Sequence, residues 1–358
     1  MNADAQKRTR AILKNVLRLV LIIAAAFLIN AVILLLLGKD VGEVYRTLFT
    51  GAFVGKWNFA RTLRWTSPLL LTGLAAAIGF RGGVFNLGID GQLYMGAFAA
   101  TWVGFTFTSL PGLPLILLAA AAAIAAGALW AMLAGWIKIR FGASEIVITL
   151  MLNYVAKLFT EYLVMYPFYV PGSASDSKAT ENIAQQAHLS ALIEGSQVTT
   201  ALLISIAVVL IMYIWMHHTV SGFELQLVGS NDRFSKFSGI HVKKRQLQIM
   251  ALSGGIAGLC GALEILGVHG RFVVNFTSGL GFDGITVALL SGNNPLAIPV
   301  AALFMGAMTS GSTQLEMVGG IPRSMASILM GIIIMTVTIK KLPALRKKYR
   351  EKKPAEHA

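Results

Sequence analysis

FRGGVFNLGIDGQ, Phe80 to Gln92, places Asn86, Asp90 and Gln92 close together among four glycines and between two apolar runs. Two amides and a carboxylate donate and accept hydrogen bonds but offer no nucleophile paired with a base. A second set follows in GASEIVITLMLNYVAKLFTEY, where Glu145, Thr149, Asn153, Lys157 and Glu161 recur at every fourth position. Each four-residue step advances about 40° around a helix axis, so these residues form a slanting polar ridge. Lys157 and Glu161 have the spacing of a helical ion pair. Glu145 and Asn153 suit either bundle packing or a polar pathway. Glu264 and Asp283, further on in apolar surroundings, each require a polar neighbour or water.

Other chemistry lacks its residues. Cys260 is the single cysteine and lies in an apolar run, which excludes an intramolecular disulfide and a thiolate metal cluster and reads as packing. The six histidines form no HExxH pattern, and the pair His217 and His218 reads as solvated at a membrane exit. No metal or other cofactor is expected. The sequence has no GxxxxGK[ST] phosphate-binding loop, so any ATP that drives this protein must be bound by another chain.

The elements that position these residues are membrane helices. Of 358 residues, 56% are hydrophobic and 13% charged, about half the charge of an ordinary soluble domain. Ten segments are expected: 19–37, 68–80, 92–107, 113–136, 145–168, 198–216, 249–268, 284–291, 296–309 and 324–339. The first follows Lys7, Arg8, Arg10, Lys14 and Arg18, exceeds a typical signal core and lacks an A-x-A cleavage site, so it reads as a retained helix. The net charge of +14 is explained by basic residues at the inner membrane surface, without nucleic acid. That rule puts residues 1–18, the loop 217–247 and the basic tail 340–358 inside, flanking a single membrane domain, 19–339, with both termini cytoplasmic. The acidic loop 169–197 falls outside. Residues 39–67 come out external although they carry Lys39, Arg46, Lys56, Arg61 and Arg64.

There is an internal echo. LTGLAAAIG precedes GVFNLGIDG, and LSGGIAGLCG precedes GLGFDGITVALLSGNNP, which carries Asp283, Asn293 and Asn294. In the ten-segment reading the two units run in opposite directions, making segments 2–5 and 7–10 an inverted-topology repeat. The fold class is therefore all-α and polytopic. The glycines and alanines allow close helix approach in lipid. The inner loop LVGSNDRFSKFSGIHVKKR differs in kind: Gly229 and Asn231 signal a turn or N-cap, and Gly239 a stop. Between them, Phe234, Phe237 and Ile240 form an apolar side flanked by Arg233 and Lys236. Such a short helix rests either on anionic lipid or on a soluble partner.

GVFNLGIDGQLYMGA, GASEIVITLMLNY, GSNDRFSKFSGI with LSGGIAGLCGALEILG, and GFDGITVALLSGNNP together resemble the permease subunits of ABC importers for nucleosides and simple sugars, related to branched-chain amino-acid and ribose permeases. The resemblance spans most of residues 65–305. It implies a ten-helix permease in the cell membrane, working with cytoplasmic ATP-binding subunits, a second permease chain that is identical or homologous, and an external substrate-binding protein. The loop containing Gly229, Asn231, Arg233, Phe234, Lys236, Phe237 and Gly239 would seat in the ATPase. Phe234 and Ser235 stand where the family usually has two alanines. Asn86, Asp90 and Gln92 fall on the polar signature, and Asp283, Asn293 and Asn294 on its second-half counterpart. With Glu145 and Asn153 they are the expected pathway residues, since amides and a carboxylate suit a neutral, hydroxyl-rich nucleoside. A simple-sugar permease is the near alternative. A proton-coupled secondary transporter using Asp90, Glu145 and Glu264 as a relay is the distant one. An intramembrane enzyme lacks any catalytic pattern.

Overall fold

The computed structural model describes residues 27–36, 38–169, 178–277, 279–319, 328 and 331–332. Almost all are helical, as expected; the extended pairing among them is limited to isolated bridges at Ala179–Val273 and Ala191–Thr199. Six described helical stretches are long and apolar enough to cross a membrane. Eight of the ten expected segments coincide with helices; of 19–37 only 27–36 is among the described residues, where it is helical, and 324–339 lies largely outside them.

Residues 55–307 form one unit. Its helices are α3 (Lys56–Arg81), α4 (Ile89–Thr106), α5 (Gly112–Phe141), α6 (Glu145–Met165), α7 (Ala201–His218), α8 (Val220–Ser230), α9 (Asp232–Phe237), α10 (Val242–Glu264), α11 (Leu280–Leu290) and the first part of α12 (Ile298–Gly319). The other unit holds α1 (Phe27–Leu36), α2 (Val41–Phe53) and α12 from Met308 onward. There Leu34, Val44, Leu48 and Leu315 make a small core, and Ser310 Oγ donates to Gly51 O at 3.0 Å.

α3 and α10 are the centre of the larger unit and are mostly buried. They pack antiparallel: Ser253 Oγ donates to Ala75 O at 2.7 Å, Cys260 Sγ lies 3.5 Å from Pro68 O, and Arg64 meets Glu264. These pairs step in opposite directions along the two helices. α3 is followed by a non-helical stretch, and α10 by a π-helical turn (Ile265–His269) and then a non-helical stretch; each then leads to a helix with an aspartate in its first turn, Asp90 in α4 and Asp283 in α11. The echo in the sequence is thus an echo in structure. Against α10, α5 packs backbone to backbone, since a Cβ at Gly127 would lie 2.8 Å from Gly258 Cα. Without a hydrophobic drive between helices in lipid, such close approach supplies the packing.

One expectation is corrected. Residues 56–67 are the first three turns of α3, not an external loop, and Arg61 and Arg64 are helical. Pro68, read as a segment start, sits inside the helix. Arg64 is buried in a two-pronged pair with Glu264, at 3.1 and 2.7 Å. A paired guanidinium tolerates burial, so Arg64 does not report orientation.

Candidate functional site

The stretch from Gly82 to Gly88 is a helix break braced on three sides. Gly83, at φ +72°, ends α3 in a left-handed turn, and Val84 N–H reaches back to Gly79 O at 2.9 Å. Asn86 then turns inward. Its amide and that of Gln92 bond reciprocally, both at 2.9 Å. Asn86 Nδ2 also donates to Ser253 Oγ at 2.8 Å, and its Oδ1 accepts Gly88 N–H at 3.0 Å. Both amides are fully buried, with their hydrogen bonds spent inside the protein.

The polar ridge on α6 provides the second brace. Phe85 N–H donates to Glu145 Oε1 at 3.0 Å and Leu87 N–H to Thr149 Oγ1 at 3.3 Å. Asn153 Nδ2 donates to Leu87 O and its Oδ1 accepts Gly91 N–H, each at 2.8 Å. Residues four apart on a helix are separated by about 6 Å along its axis, and alternate residues of an extended chain by about 6.6 Å. That near match lets one helix face serve successive peptide groups of the break. Backbone freed from a helix at membrane depth needs such partners. Glu145 also pairs with Lys138.

Asp90 supplies the third. It is half-buried, and its Oδ1 accepts Gly281 N–H at 3.0 Å, joining the first turns of α4 and α11. Asp283 lies half-buried in the same turn of α11. Asn293 and Asn294 are elsewhere, in the turn after α11: Asn293 at φ +60°, and Asn294 Oδ1 accepting Leu296 N–H at 3.2 Å. The structure therefore gathers Asn86, Asp90, Gln92, Glu145 and Asn153 around one break, with Asp283 one element away.

Lys157 and Glu161 do not form the ion pair that their spacing suggests; among the described residues, neither takes part in a salt bridge. Sequence reasoning also missed the Arg64–Glu264 pair. Its partners are joined only by the fold.

The loop 217–247 folds as α8, α9 and the start of α10. Asn231 caps α9, its Oδ1 accepting Phe234 N–H at 3.1 Å. Gly239, at φ +81°, follows its end. Phe234 and Phe237 are 55% and 92% exposed, and Arg233 and Lys236 are exposed beside them. The apolar side is less uniform than expected, because Ile240 is half-buried and Ser235 faces inward, its Oγ donating to Asn231 O at 2.9 Å. Gly229 is no turn. It lies in the last turn of α8, where a Cβ would meet Arg81 O and lie 2.8 Å from Gly83 N. An ion pair between Glu224 of α8 and Arg245 of α10 closes the hairpin.

The family described as branched-chain amino acid transport system / permease component matches residues 58–338. The guanosine ABC transporter permease protein NupP of Bacillus subtilis (strain 168) is 34% identical, over 92% of this chain and 94% of its own. The nucleoside ABC transporter permease protein NupB of Lactococcus lactis subsp. cremoris is 30% identical, over 91% and 92% of the two chains. The glucose ABC transporter permease protein TsgB13 of Haloferax volcanii is 32% identical, over 88% and 85%.

Proposed function

This chain belongs to the permease-component family of branched-chain amino acid transport systems and is an ABC-importer permease, and on that premise we propose that its cargo is a nucleoside. The observation that carries this reading is similarity over almost the whole chain to permeases named for guanosine and for nucleosides. The half-buried carboxylates of Asp90 at the helix break and of Asp283 in the adjoining first turn of α11 suit it, since they can accept hydrogen bonds from ribose hydroxyls. Asn86, Gln92, Glu145 and Asn153 hold the break in shape. Asn293 and Asn294 shape the turn after α11.

ATP is hydrolysed on a separate cytoplasmic subunit, which α9 engages through Phe234 and Phe237. Both termini and the α8–α9 hairpin then lie on the cytoplasmic side. A second permease chain and an external binding protein complete the importer.

Reconstitution of this chain with those partners in liposomes tests the proposal. ATP-dependent accumulation of radiolabelled guanosine or adenosine is expected, and it should persist after the pH gradient is collapsed. Glucose uptake without nucleoside uptake would transfer the chain to the sugar branch, a reading supported by the 32% identity to a glucose permease. Accumulation driven by a pH gradient without ATP would overturn the importer assignment.

A further inference from the structure

α6 has a second polar face. Its buried stripe is Thr149, Asn153, Ala156, Thr160 and Val164. With about 100° between successive residues, Lys157, Glu161 and Tyr154 share the flank beside that stripe. Tyr154 is 65% exposed, and Lys157 and Glu161 are half-buried. Lys157 is about 18 Å from the start of α6, counting 1.5 Å per residue, and so near the middle of a helix long enough to span a membrane. Asp90, also half-buried, immediately precedes Gly91, whose N–H is held by Asn153 of α6 one turn before Lys157, so the Asp90 and Lys157 charges are close enough to interact. Where Gly281 meets Asp90, α11 adds Phe282, 48% exposed.

Charged groups within a span do not face hydrocarbon without large cost. The lipid-type faces of this chain look different: α5 exposes Leu113, Leu117, Ile124, Leu129 and Leu133, and α7 exposes Leu203, Ile206, Leu210, Ile211 and Ile214. Only apolar side chains appear in those two stripes. The α6 flank mixes an ammonium, a carboxylate and a phenol, and α11, joined to α4 through Asp90, brings an aromatic ring to the same end of the break, which is the composition of a wet surface that binds an amphiphilic, uncharged solute.

We propose that Tyr154, Lys157 and Glu161 of α6, with Asp90 and Phe282, form the water-lined wall along which the solute passes. The Tyr154 and Phe282 rings offer stacking surface to a planar base or to the apolar face of a sugar. Lys157, Glu161 and Asp90 exchange hydrogen bonds with hydroxyls, and Lys157 offsets one of the two carboxylates, so that the wall offers an uncharged solute hydrogen bonds without a strong field. This inference rests on the nucleoside reading for the kind of solute, and on geometry alone for the wall.

Thiol accessibility tests it. Cys260 is the single cysteine and is 1% exposed, so Cys260→Ala gives a clean background. Into it go Tyr154→Cys, Glu161→Cys and, as a lipid-facing control on α5, Leu129→Cys. The assembled importer in liposomes is treated with a charged methanethiosulfonate reagent, after co-purification of the partners has verified each variant. A thiol in water ionises and one in hydrocarbon does not, so positions 154 and 161 should react at least about tenfold faster than position 129. Millimolar guanosine should slow the reaction at position 154. Reaction as slow as at position 129 would overturn the wall. Fast reaction that neither guanosine nor glucose slows would overturn solute binding there. Protection by glucose and not by guanosine would support the wall and overturn the nucleoside reading, so the two failures are distinct.

Discussion

Asp90 Oδ1 accepts the Gly281 amide at 3.0 Å, so a carboxylate at the start of α4 holds the start of α11. Asp90→Asn keeps an oxygen that can accept this bond and removes the charge. If the charge serves transport, the variant should assemble normally and keep its thermal stability, while nucleoside uptake falls severalfold. Asp90→Leu removes the acceptor as well and should cost about 1–3 kcal/mol, the penalty of an unsatisfied buried amide. Thermal unfolding in detergent and uptake in liposomes read the two effects. Normal uptake by the asparagine variant would make Asp90 a brace alone.

Arg64 and Glu264 bind α3 to α10 through two hydrogen bonds of 3.1 and 2.7 Å. Removing one partner of a buried pair leaves an uncompensated charge, worth about 3–5 kcal/mol. Glu264→Leu alone should therefore lower the unfolding temperature sharply. Arg64→Met with Glu264→Leu should recover most of the loss, because apolar packing of similar volume replaces a buried pair at little net cost. A double-mutant cycle in unfolding free energy checks this. Equal losses in the single and double variants would place the effect in packing, not in charge.

Those two residues also show where the sequence is silent. Helix existence was legible because apolar runs and small-residue spacing are local properties. Arg64 was not legible as a helix residue: a hydropathy window registers a charge but not the carboxylate that neutralises it 200 positions away. Pro68 misled in the same way. A proline reads as a boundary because it lacks an N–H and disfavours helix before it, yet α3 continues through it, with Thr72 Oγ1 donating to Pro68 O at 2.9 Å. The ridge of Glu145, Thr149 and Asn153 was legible from its period of four. Its partner, the backbone of residues 85–91, was not, since periodicity tells which residues share a face and not what covers it.

Phe237 is 92% exposed at the end of α9, which separates binding from folding. Phe237→Asp should change the stability of the isolated permease by no more than about 0.5 kcal/mol, as surface substitutions do. An aromatic anchor at the centre of an interface is worth about 2 kcal/mol or more, so recovery of the ATP-binding subunit in co-purification should fall by more than tenfold. Unchanged recovery and unchanged transport would leave α9 as a lipid-surface helix.

Gly229 tests whether docking and coupling can be pulled apart. It lies within α8 against Arg81 O and 2.8 Å from Gly83 N, measured from where its Cβ would be. It therefore joins the hairpin that presents α9 to the helix break whose other end is held by Asn86, Gln92 and Asp90. Both neighbours of that Cβ are backbone atoms, so Gly229→Ala cannot be absorbed by a side-chain rotation. The end of α8 must move away from the break. Phe234 and Phe237 remain exposed, and the ATP-binding subunit should still co-purify at normal yield. If the hairpin couples the ATP-binding subunit to the break, what should fall is the number of nucleosides moved per ATP hydrolysed, because the end of α8 no longer seats against the backbone at Gly83. The control is Gly38→Ala, outside the coupling loop, whose φ of +68° makes it strained but whose Cβ would meet nothing within 4 Å. It should cost about 1 kcal/mol of local stability and leave the ratio of transport to hydrolysis intact. A normal ratio in Gly229→Ala, with stability preserved, would mean that the hairpin acts on the bundle by another contact, of which the Glu224–Arg245 pair to α10 is the next to test.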